Sequence, residues 1–472
     1  MTTSGGMRRS ATTVAAMVLL GGLGAPVAWA AGSVDVACDT AALVNAFSAT
    51  QADGGPSVIN LAKDCEYRLT TPVQDSRLGD PSGLPALRGP VTVNGNNATL
   101  RRPADAPRFR ILHVWESRGN TVTVNDLTIT GGHTRDGAVQ GNQDLPAGSG
   151  AGIFVQGDLV LNNTKVIGNR TGNGHNLGGS SGGTGGGIVA MAGVKLTLAK
   201  GSAVRGNRTG DGGSAGVVST IPGSGGTAGG IYGHNITVLD SEVSDNHTGN
   251  GGAGEFGGFG GAGGGIFQTW TNWLTLRNAT ISGNSTGDGG PTTHASSGGR
   301  QGGGGEGGGI RTGDGPDTVS VVDSRITNNT SGTGDGLQPA DGAGALFHGA
   351  DNFLMTGTLV EGNRARSPKA EGAGLSLSGE DGRPLVIRDS IIRGNRNEGV
   401  DSVGGGISIW LGTLDLERVT VTGNSSAGAG SGGGVHVVTR SDRATVNLRT
   451  GTVVRDNTPR NCNAGLVRGC AN

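Results

Sequence analysis

A short phrase, a Val or Ile followed by two other residues and then Asn, recurs nine times and constrains the fold more than any other feature of the chain. Successive Asn residues lie 29 to 45 positions apart. Self-similarity at such a period is typical of repeat architectures, in which each unit buries its apolar face against the next. The nine Asn residues are Asn169, Asn207, Asn246, Asn284, Asn329, Asn363, Asn395, Asn424 and Asn457.

A second phrase, usually Gly-x-Gly followed by an aliphatic residue, lies between the first ones. It begins with Gly150-Ala-Gly-Ile153, and two copies depart from it at Ala228 and Ala345. The last Gly of each copy precedes the next Asn by 16 to 23 residues, so most of the length variation follows the Asn. This spacing predicts a constant structural unit that carries one variable, glycine-rich loop.

Apolar residues alternate before each Asn, as at Leu159 and Leu161, which lie ten and eight positions before Asn169. A period of two is typical of a strand with one buried face. Six positions before the Asn the chain carries mostly Asn, Asp or Gly, the residues that tolerate a left-handed bend. We predict an all-β fold, a single-stranded right-handed parallel β-helix, in which the nine Asn side chains stack as a structural ladder.

Composition limits the alternatives. Glycine accounts for 97 of 472 residues, yet 33% of the residues are hydrophobic and the net charge is −1, which favours a packed chain over a disordered one. The balanced charge gives no support for binding of nucleic acid or an anionic membrane. No apolar run after the first 30 residues is long enough to span a bilayer.

The beginning of the chain is typical of an exported protein. Arg8-Arg9, a short apolar run and Ala28-Trp29-Ala30 predict a signal peptide over residues 1–30 and a secreted mature protein. We expect an N-terminal cap and first coil over 31–90, with a helix near Thr40–Phe47, the β-helix over 91–457 and a C-terminal disulfide cap over 458–472.

Four cysteines lie near the two ends of the mature chain: Cys38, Cys65, Cys462 and Cys470. An even number in an exported chain predicts disulfides, and of the three possible pairings proximity favours Cys38–Cys65 with Cys462–Cys470. Their spacing does not match a zinc site, and the eight His residues are scattered, so we expect no bound metal or other cofactor. Calcium at the loop residues Asp211, Asp288 and Asp335 is the weaker alternative to solvated turns.

The paired phrases resemble the repeats of chlamydial polymorphic outer membrane proteins, with Val or Ile in place of their Phe, over roughly residues 150–457. The segment from Cys38 to Leu69 is similar to secreted bacterial β-helix proteins of the pectin-lyase-like superfamily. These resemblances imply a parallel β-helix, and the chlamydial one implies a surface and adhesive role.

Catalysis must be weighed because pectin-lyase-like proteins include polysaccharide lyases and glycosidases. A lyase needs clustered carboxylates and a basic residue, for which Asp323 with Arg325 and Asp389 with Arg393 are candidates. However, both Asp residues fall on the bend position, where backbone geometry already explains them.

Aromatic residues make up 3% of the chain, so their placement is informative. Phe256 and Phe259 lie in a glycine-rich loop, and Trp270 and Trp273 follow it, which makes them candidates for stacking on a sugar or on a partner surface. We therefore expect a non-catalytic protein that binds a glycan or a cell-surface partner through its glycine-rich loops. The alternatives are a polysaccharide lyase or glycoside hydrolase and a purely structural envelope component.

Overall fold

The computed structural model describes most of the chain after residue 31. The predicted signal peptide and Trp270 lie outside the described residues. The described ranges are 32–52, 55, 57–73, 80–115, 120–140, 143–176, 178–216, 221–269, 273–293, 298–313, 317–335, 339–379, 383–439, 443–463 and 465–472.

The described chain is built almost entirely from short strands, with one helix. The N-terminal elements are β1 Ser33–Val36, α1 Thr40–Ala49, β2 Val58–Leu61, β3 Glu66–Arg68, β4 Thr92–Arg101, β5 Leu112–Val114, β6 Thr121–Thr130, β7 Ala138–Gln140 and β8 Gln143–Leu145. The middle elements are β9 Ile153–Val155, β10 Asp158–Asn162, β11 Lys165–Ile167, β12 Ile188–Ala190, β13 Lys195–Ala199, β14 Ala203–Arg205, β15 Ile231–Gly233, β16 Asn235–Leu239, β17 Glu242–Ser244, β18 Ile266–Gln268, β19 Trp273–Arg277, β20 Thr280–Ser282, β21 Ile310–Thr312, β22 Asp317–Val322 and β23 Arg325–Thr327. The C-terminal elements are β24 Ala345–Phe347, β25 Ala350–Thr356, β26 Leu359–Glu361, β27 Arg364–Ala365, β28 Leu375–Ser378, β29 Pro384–Arg388, β30 Ile391–Arg393, β31 Arg396–Asn397, β32 Ile407–Glu417, β33 Thr420–Thr422, β34 Ser425–Ser426, β35 Val435–Val437, β36 Ala444–Leu448, β37 Val453–Arg455 and β38 Val467–Arg468.

Each coil contributes strands to three parallel ladders that together form one 33-stranded sheet. The first ladder runs β2-β4-β6-β10-β13 and onward to β38, the second runs β3-β4-β6-β11-β14 to β37, and the third runs β5-β9-β12-β15 to β35. Equivalent residues pair in register, as Leu159 does with Leu196 and Ile188 with Ile231. The predicted right-handed parallel β-helix is therefore confirmed.

The interior of the β-helix is filled by columns of stacked aliphatic side chains, which all three ladders contribute. Ile153, Ile188 and Ile231, which end copies of the Gly-x-Gly phrase, are fully buried. Ala345 takes the place of such an aliphatic residue, and two residues later the buried ring of Phe347 lies 5.2 Å from that of Phe353. A small residue in this column is thus accompanied by larger neighbours, as close packing requires.

The nine repeated Asn residues form one continuous hydrogen-bonded ladder. Each Nδ2 donates to the Oδ1 of the Asn in the next coil at 2.8–3.0 Å, and the backbone N–H donates to the same oxygen. Each Nδ2 also donates to a carbonyl of the preceding coil, as Asn207 does to Val166. Every buried amide atom is thereby satisfied. At the C-terminal end Asn457 donates to Oδ1 of Asn461, a tenth member that the repeat did not reveal.

A second Asn ladder runs along the first coils. Asn60 donates to Asp35, and the donations continue from Asn94 to Asn60, from Asn125 to Asn94 and from Asn162 to Asn125, at 2.8–2.9 Å. Residue 199, which pairs with Asn162 in the next coil, is Ala, and the ladder ends there. This ladder lies on the outer side of the strands and is only partly buried.

Left-handed backbone marks the bend in each coil, six positions before the ladder Asn. Asp240, Asp323 and Asp389 have φ of 46°, 48° and 47°, within the region that Asp and Asn enter more readily than most residues. The bend predicted from the Asn, Asp and Gly pattern is present, and it accounts for these three aspartates without any chemical role.

The glycine-rich loops are packed against one another through their backbones. Gly212 donates to the carbonyl of Asn250 in the next coil, and Gly226 donates to Gly210 within its own loop. A Cβ on Gly226 would lie 2.0 Å from the carbonyl oxygen of Gly183, closer than any real contact. These loops are therefore an ordered layer in which glycine is required because neighbouring backbones touch.

Hydroxyl groups tie the base of each loop together. Thr171 Oγ1 donates to the carbonyl of Gly183 at 2.7 Å and accepts the N–H of Gly210 from the next coil at 3.0 Å. The pattern repeats at Thr134, Thr209, Thr248 and Thr286. One hydroxyl thus links the two arms of a loop and the loop of the following coil.

Both ends of the described chain are closed by a disulfide. Asp39 caps α1 by accepting the N–H of Ala42 at 2.8 Å, and Cys38 is bonded to Cys65. At the other end Cys462 is bonded to Cys470, and β38 extends the first ladder by pairing with β36. The structure thus contains the pairing that proximity favoured.

Candidate functional site

A cavity of about 340 Å³ lies between the glycine-rich loops and the third ladder. Phe259, from the loop, and Phe267, from β18, contribute aromatic surface to it. Phe259 is 45% exposed in a protein whose other aromatic rings are mostly covered. An exposed ring at the edge of a concave surface is typical of a binding site.

Charged groups lie beside the two rings. The guanidinium of Arg311 lies over Phe267 at 4.9 Å from the ring centroid, and its Nε is 3.0 Å from Oε2 of Glu306. Both Arg311 and Glu306 line the cavity. Tyr232 stacks on the other side of Phe267, with the ring planes 2° apart and the centroids 5.8 Å apart. The site therefore offers the exposed ring of Phe259 together with one donor group, of Arg311, and one acceptor group, of Glu306.

Sequence reasoning did not identify the residues behind Phe259. Tyr232, Phe267 and Arg311 each follow the buried Ile of a Gly-x-Gly-Ile phrase, and they pair in register in the third ladder. Because successive residues of a strand point to opposite faces, the position after each buried Ile points outward. Aligning the repeats on that Ile would have placed these three side chains in one column.

The other aromatic candidates do not line this cavity. Phe256 is 58% exposed in the same loop but is absent from the cavity lining. Trp273 begins β19 in the first ladder, is 38% exposed and has the Lys195 ammonium 6.0 Å from its ring centroid. The structure therefore brings Phe259 into one cavity with Phe267, and neither Phe256 nor Trp273 lines that cavity.

Two of the four candidate catalytic residues, Asp389 and Arg393, are paired with side chains of adjacent coils. Arg418 donates to both carboxylate oxygens of Asp389, at 2.6 and 3.0 Å, and this hydrogen bonding holds the pKa of Asp389 below its usual range. Arg393 donates to Glu361 at 2.7 Å. Asp323 lies at a bend, and Arg325 begins β23. The contacts of Asp389 and Arg393 therefore link adjacent coils.

Two of the three loop aspartates suggested for calcium, Asp211 and Asp288, accept hydrogen bonds from the backbone of the next coil. Asp211 Oδ1 accepts the N–H of Asn250, and Asp288 Oδ1 accepts the N–H of Thr333, both at 2.8 Å. Among the described residues, no group of three or more His, Cys, Asp or Glu side chains is placed to hold a metal ion.

Comparison of the chain with protein-family models, with curated proteins and with solved structures gives no match. Within the described ranges, no helix has the length and apolar character needed to cross a bilayer.

Proposed function

We propose that this protein is a secreted, non-catalytic β-helix protein that binds a glycan of a cell surface through its glycine-rich loops. The observation that carries the proposal is the exposed ring of Phe259 at the edge of the cavity that Phe267, Arg311 and Glu306 also line. The apolar face of a sugar ring stacks on an aromatic ring, and its hydroxyls accept from a guanidinium and donate to a carboxylate.

The rigidity of the surroundings supports this role. The loop that carries Phe259 is held by its backbone, since the carbonyl of Phe259 accepts the N–H of Gly225 at 2.8 Å. A ring that is already ordered loses little conformational freedom when a ligand binds. We further propose secretion, supported by the signal-like first 30 residues and the two disulfides.

We also propose distant kinship with chlamydial polymorphic outer membrane proteins, for which the support is the paired phrases over residues 150–457, and with the pectin-lyase-like superfamily, for which the support is the segment from Cys38 to Leu69. A binding role is favoured over a catalytic one because Asp389 and Arg393 are each engaged by a partner in an adjacent coil.

The test begins with the mature protein on an array of neutral and acidic glycans, followed by calorimetric titration of each glycan that is retained. Replacement of Phe259 by Ala is expected to weaken binding about tenfold, since one aromatic contact is worth roughly 1–1.5 kcal/mol. Phe256→Ala is the matched control because Phe256 is exposed in the same loop and does not line the cavity.

Three results would contradict the proposal. One is retention of no glycan, and another is equal binding by the Phe259→Ala variant and the native protein. The third is turnover, measured as absorbance of unsaturated products or as new reducing ends after incubation with acidic polysaccharides.

A further inference from the structure

A second and larger cavity, of about 630 Å³, lies across the N-terminal coils and has a strongly basic lining. Four arginines and one histidine line it, against one carboxylate. They are Arg68, Arg101, Arg102, His133, Arg170 and the acidic Asp105. It shares no lining residue with the cavity beside Phe259.

Strand register places two of these cations one above the other. Arg68 of β3 pairs directly with Arg101 of β4, and neighbouring strands lie about 4.8 Å apart. Like charges at such positions repel each other. Both guanidinium groups share one carboxylate, that of Glu66, at 3.5 and 3.4 Å. The ladder therefore carries an excess of positive charge at this point.

Arg102 and the backbone form a fixed wall of the cavity. Arg102 is 5% exposed, and its guanidinium donates to the carbonyls of Pro107, Gly131 and Ala106. Carbonyl partners hold the group in place without neutralising its charge. Gly131 and Gly168, which also line the cavity, carry no side chain that could cover it.

Arg170, which directly follows the ladder residue Asn169, contributes an exposed cation to the cavity. Its Nη2 lies 3.3 Å from Oδ1 of the neutral Asn173, and within the described residues no carboxylate pairs with it. In the C-terminal coils several arginines are matched by an acid of an adjacent coil, as Arg393 is by Glu361 and Arg449 by Asp415. The N-terminal cavity instead gathers four arginines around one carboxylate.

The adjoining cavity has a smaller excess of positive charge. It has a volume of about 300 Å³ and is also lined by Arg170, but it contains Asp211 and Asp288 beside Arg208 and Arg366. Arg366 is paired with Asp288 at 2.8 Å. The excess of arginines over carboxylates is therefore greater in the larger cavity, with four against one, than in the adjoining one, with three against two.

The lowered pKa values of two lining groups, His133 and Arg102, agree with a positively charged environment. Burial, and then the charges of Arg108, Arg102 and Arg170, lower the pKa of His133 to about 4, against the opposing effect of Asp136. Burial and the nearby Arg108 also lower the pKa of Arg102. A bound anion would favour the protonated form of both groups.

We propose that this cavity binds an oxyanion, a phosphate or sulfate group, between Arg101, Arg102 and Arg170. The guanidinium fork matches the geometry of such groups, and charge-assisted hydrogen bonds to them are the strong ones. The group can come from the free ion or from a polymer that carries it, and the test separates the two sources.

Binding is measured by calorimetric titration of the mature protein, at low ionic strength, with sodium sulfate, sodium phosphate, dextran sulfate and uncharged dextran. Arg170→Gln and Arg101→Gln are each expected to weaken binding about tenfold, which corresponds to the loss of one charge-assisted hydrogen bond. Both side chains are largely exposed, so the variants should keep the fold, and circular dichroism checks this. Arg393→Gln is the matched control, a surface arginine with its own acidic partner.

The pKa of His133 gives an independent readout by NMR. It is expected to rise by about one unit in saturating sulfate, and by less in the Arg170→Gln variant. Binding of free sulfate or phosphate that depends on Arg101 and Arg170 supports a site for the free ion. Arginine-dependent binding of dextran sulfate alone supports a site for a polymer-borne group.

Other results would overturn the proposal. One is the absence of binding to every charged probe. Another is that the Arg170→Gln variant and the native protein bind these probes with equal affinity. The third is that dextran and dextran sulfate bind equally well. Because the Phe259 cavity contains none of these arginines, Arg170→Gln leaves glycan binding at Phe259 unchanged, and the two proposals can fail separately.

Discussion

The side-chain oxygen of Asn246 accepts two hydrogen bonds from Asn207, one from its backbone N–H and one from its Nδ2, both at 3.0 Å. The Nδ2 of Asn246 then donates to Val204 of the preceding coil and to Asn284 of the next. One fully buried amide therefore connects three coils. The ladder thus acts as a polar spine that runs beside the apolar interior.

Replacement of Asn246 by Ala is expected to lower the free energy of unfolding by about 3 kcal/mol. The change leaves two donors of Asn207 unsatisfied in a buried setting, and an unpaired buried polar group costs about 1–3 kcal/mol. Urea denaturation followed by far-ultraviolet circular dichroism measures the effect. Asn162→Ala is the control, because Asn162 is only partly buried and ends its own ladder; a loss below about 1 kcal/mol is expected there. Equal losses in the two variants would contradict this account.

Replacement of Gly226 by Ala is expected to destabilise the protein by about 1–3 kcal/mol through overpacking. The added Cβ would lie 2.0 Å from the carbonyl oxygen of Gly183 and 2.8 Å from Cβ of Thr209, so backbone must move. In limited proteolysis of this variant, the protease should cleave the glycine-rich loops earlier than the strands of the coils. Gly32→Ala is the control, since no atom lies within 4 Å of its added Cβ. Unchanged stability and unchanged cleavage in Gly226→Ala would mean that the loops are not packed as described.

The apolar register was predictable from the sequence, whereas the polar contacts between coils were only partly so. The alternation at Leu159 and Leu161 specifies which face is buried, and pairing with Leu196 and Leu198 follows from stacking equal units. The second Asn ladder could not be predicted because its members lie on outward positions, where many residue types are tolerated. These members are Asn60, Asn94, Asn125 and Asn162.

The contacts of the glycine-rich loops could not be predicted at all. A glycine has no side chain to indicate its partner, and the spacing of Gly183 and Gly226 differs little from that of any other glycine pair in these tracts. Only part of the aromatic cavity could be predicted from the sequence. Phe259 could be singled out because aromatic residues are rare in this chain, whereas Arg311 and Glu306 join it in one cavity only when the coils are stacked.

Removal of the N-terminal disulfide by Cys38→Ser and Cys65→Ser is expected to cost more stability than removal of the C-terminal one. The two cysteines are 27 residues apart, against 8 for Cys462 and Cys470, and the longer loop restricts the unfolded chain more. The chain-entropy model gives about 3.5 against about 2.5 kcal/mol. Denaturation of the two double variants measures the difference. A larger loss in the C-terminal variant would contradict it.

Acidification is expected to destabilise the protein between pH 6.5 and about pH 4 through His436. Burial lowers its pKa from 6.5 to about 4 in the folded state, so the unfolded chain binds a proton in this range while the folded chain does not. Stability is therefore complete above pH 6.5 and is lost as the pH falls, by roughly 3 kcal/mol. Protonation at Nδ1 would also break the hydrogen bond that this atom accepts from the N–H of Gly432 at 3.2 Å.

His436→Asn is the matching variant, because an Asn Oδ1 can replace Nδ1 as the acceptor and does not titrate. Its denaturation midpoint should depend less on pH than that of the native protein between pH 6.5 and 4.5. The same pH dependence in both proteins would exclude His436 as the cause.

All links of the ladder formed by the nine repeated Asn residues point in one direction, from the coil of Asn169 to that of Asn457. Its first oxygen accepts from the N–H of Gly132, and its last donor ends on Asn461, within the disulfide-bonded cap. Because every link has the same donor and acceptor, deletion or duplication of a whole repeat would rejoin two equivalent coils and leave both ends bonded. The ladder therefore makes the number of coils free to change during evolution by single recombination events, without loss of a buried hydrogen bond.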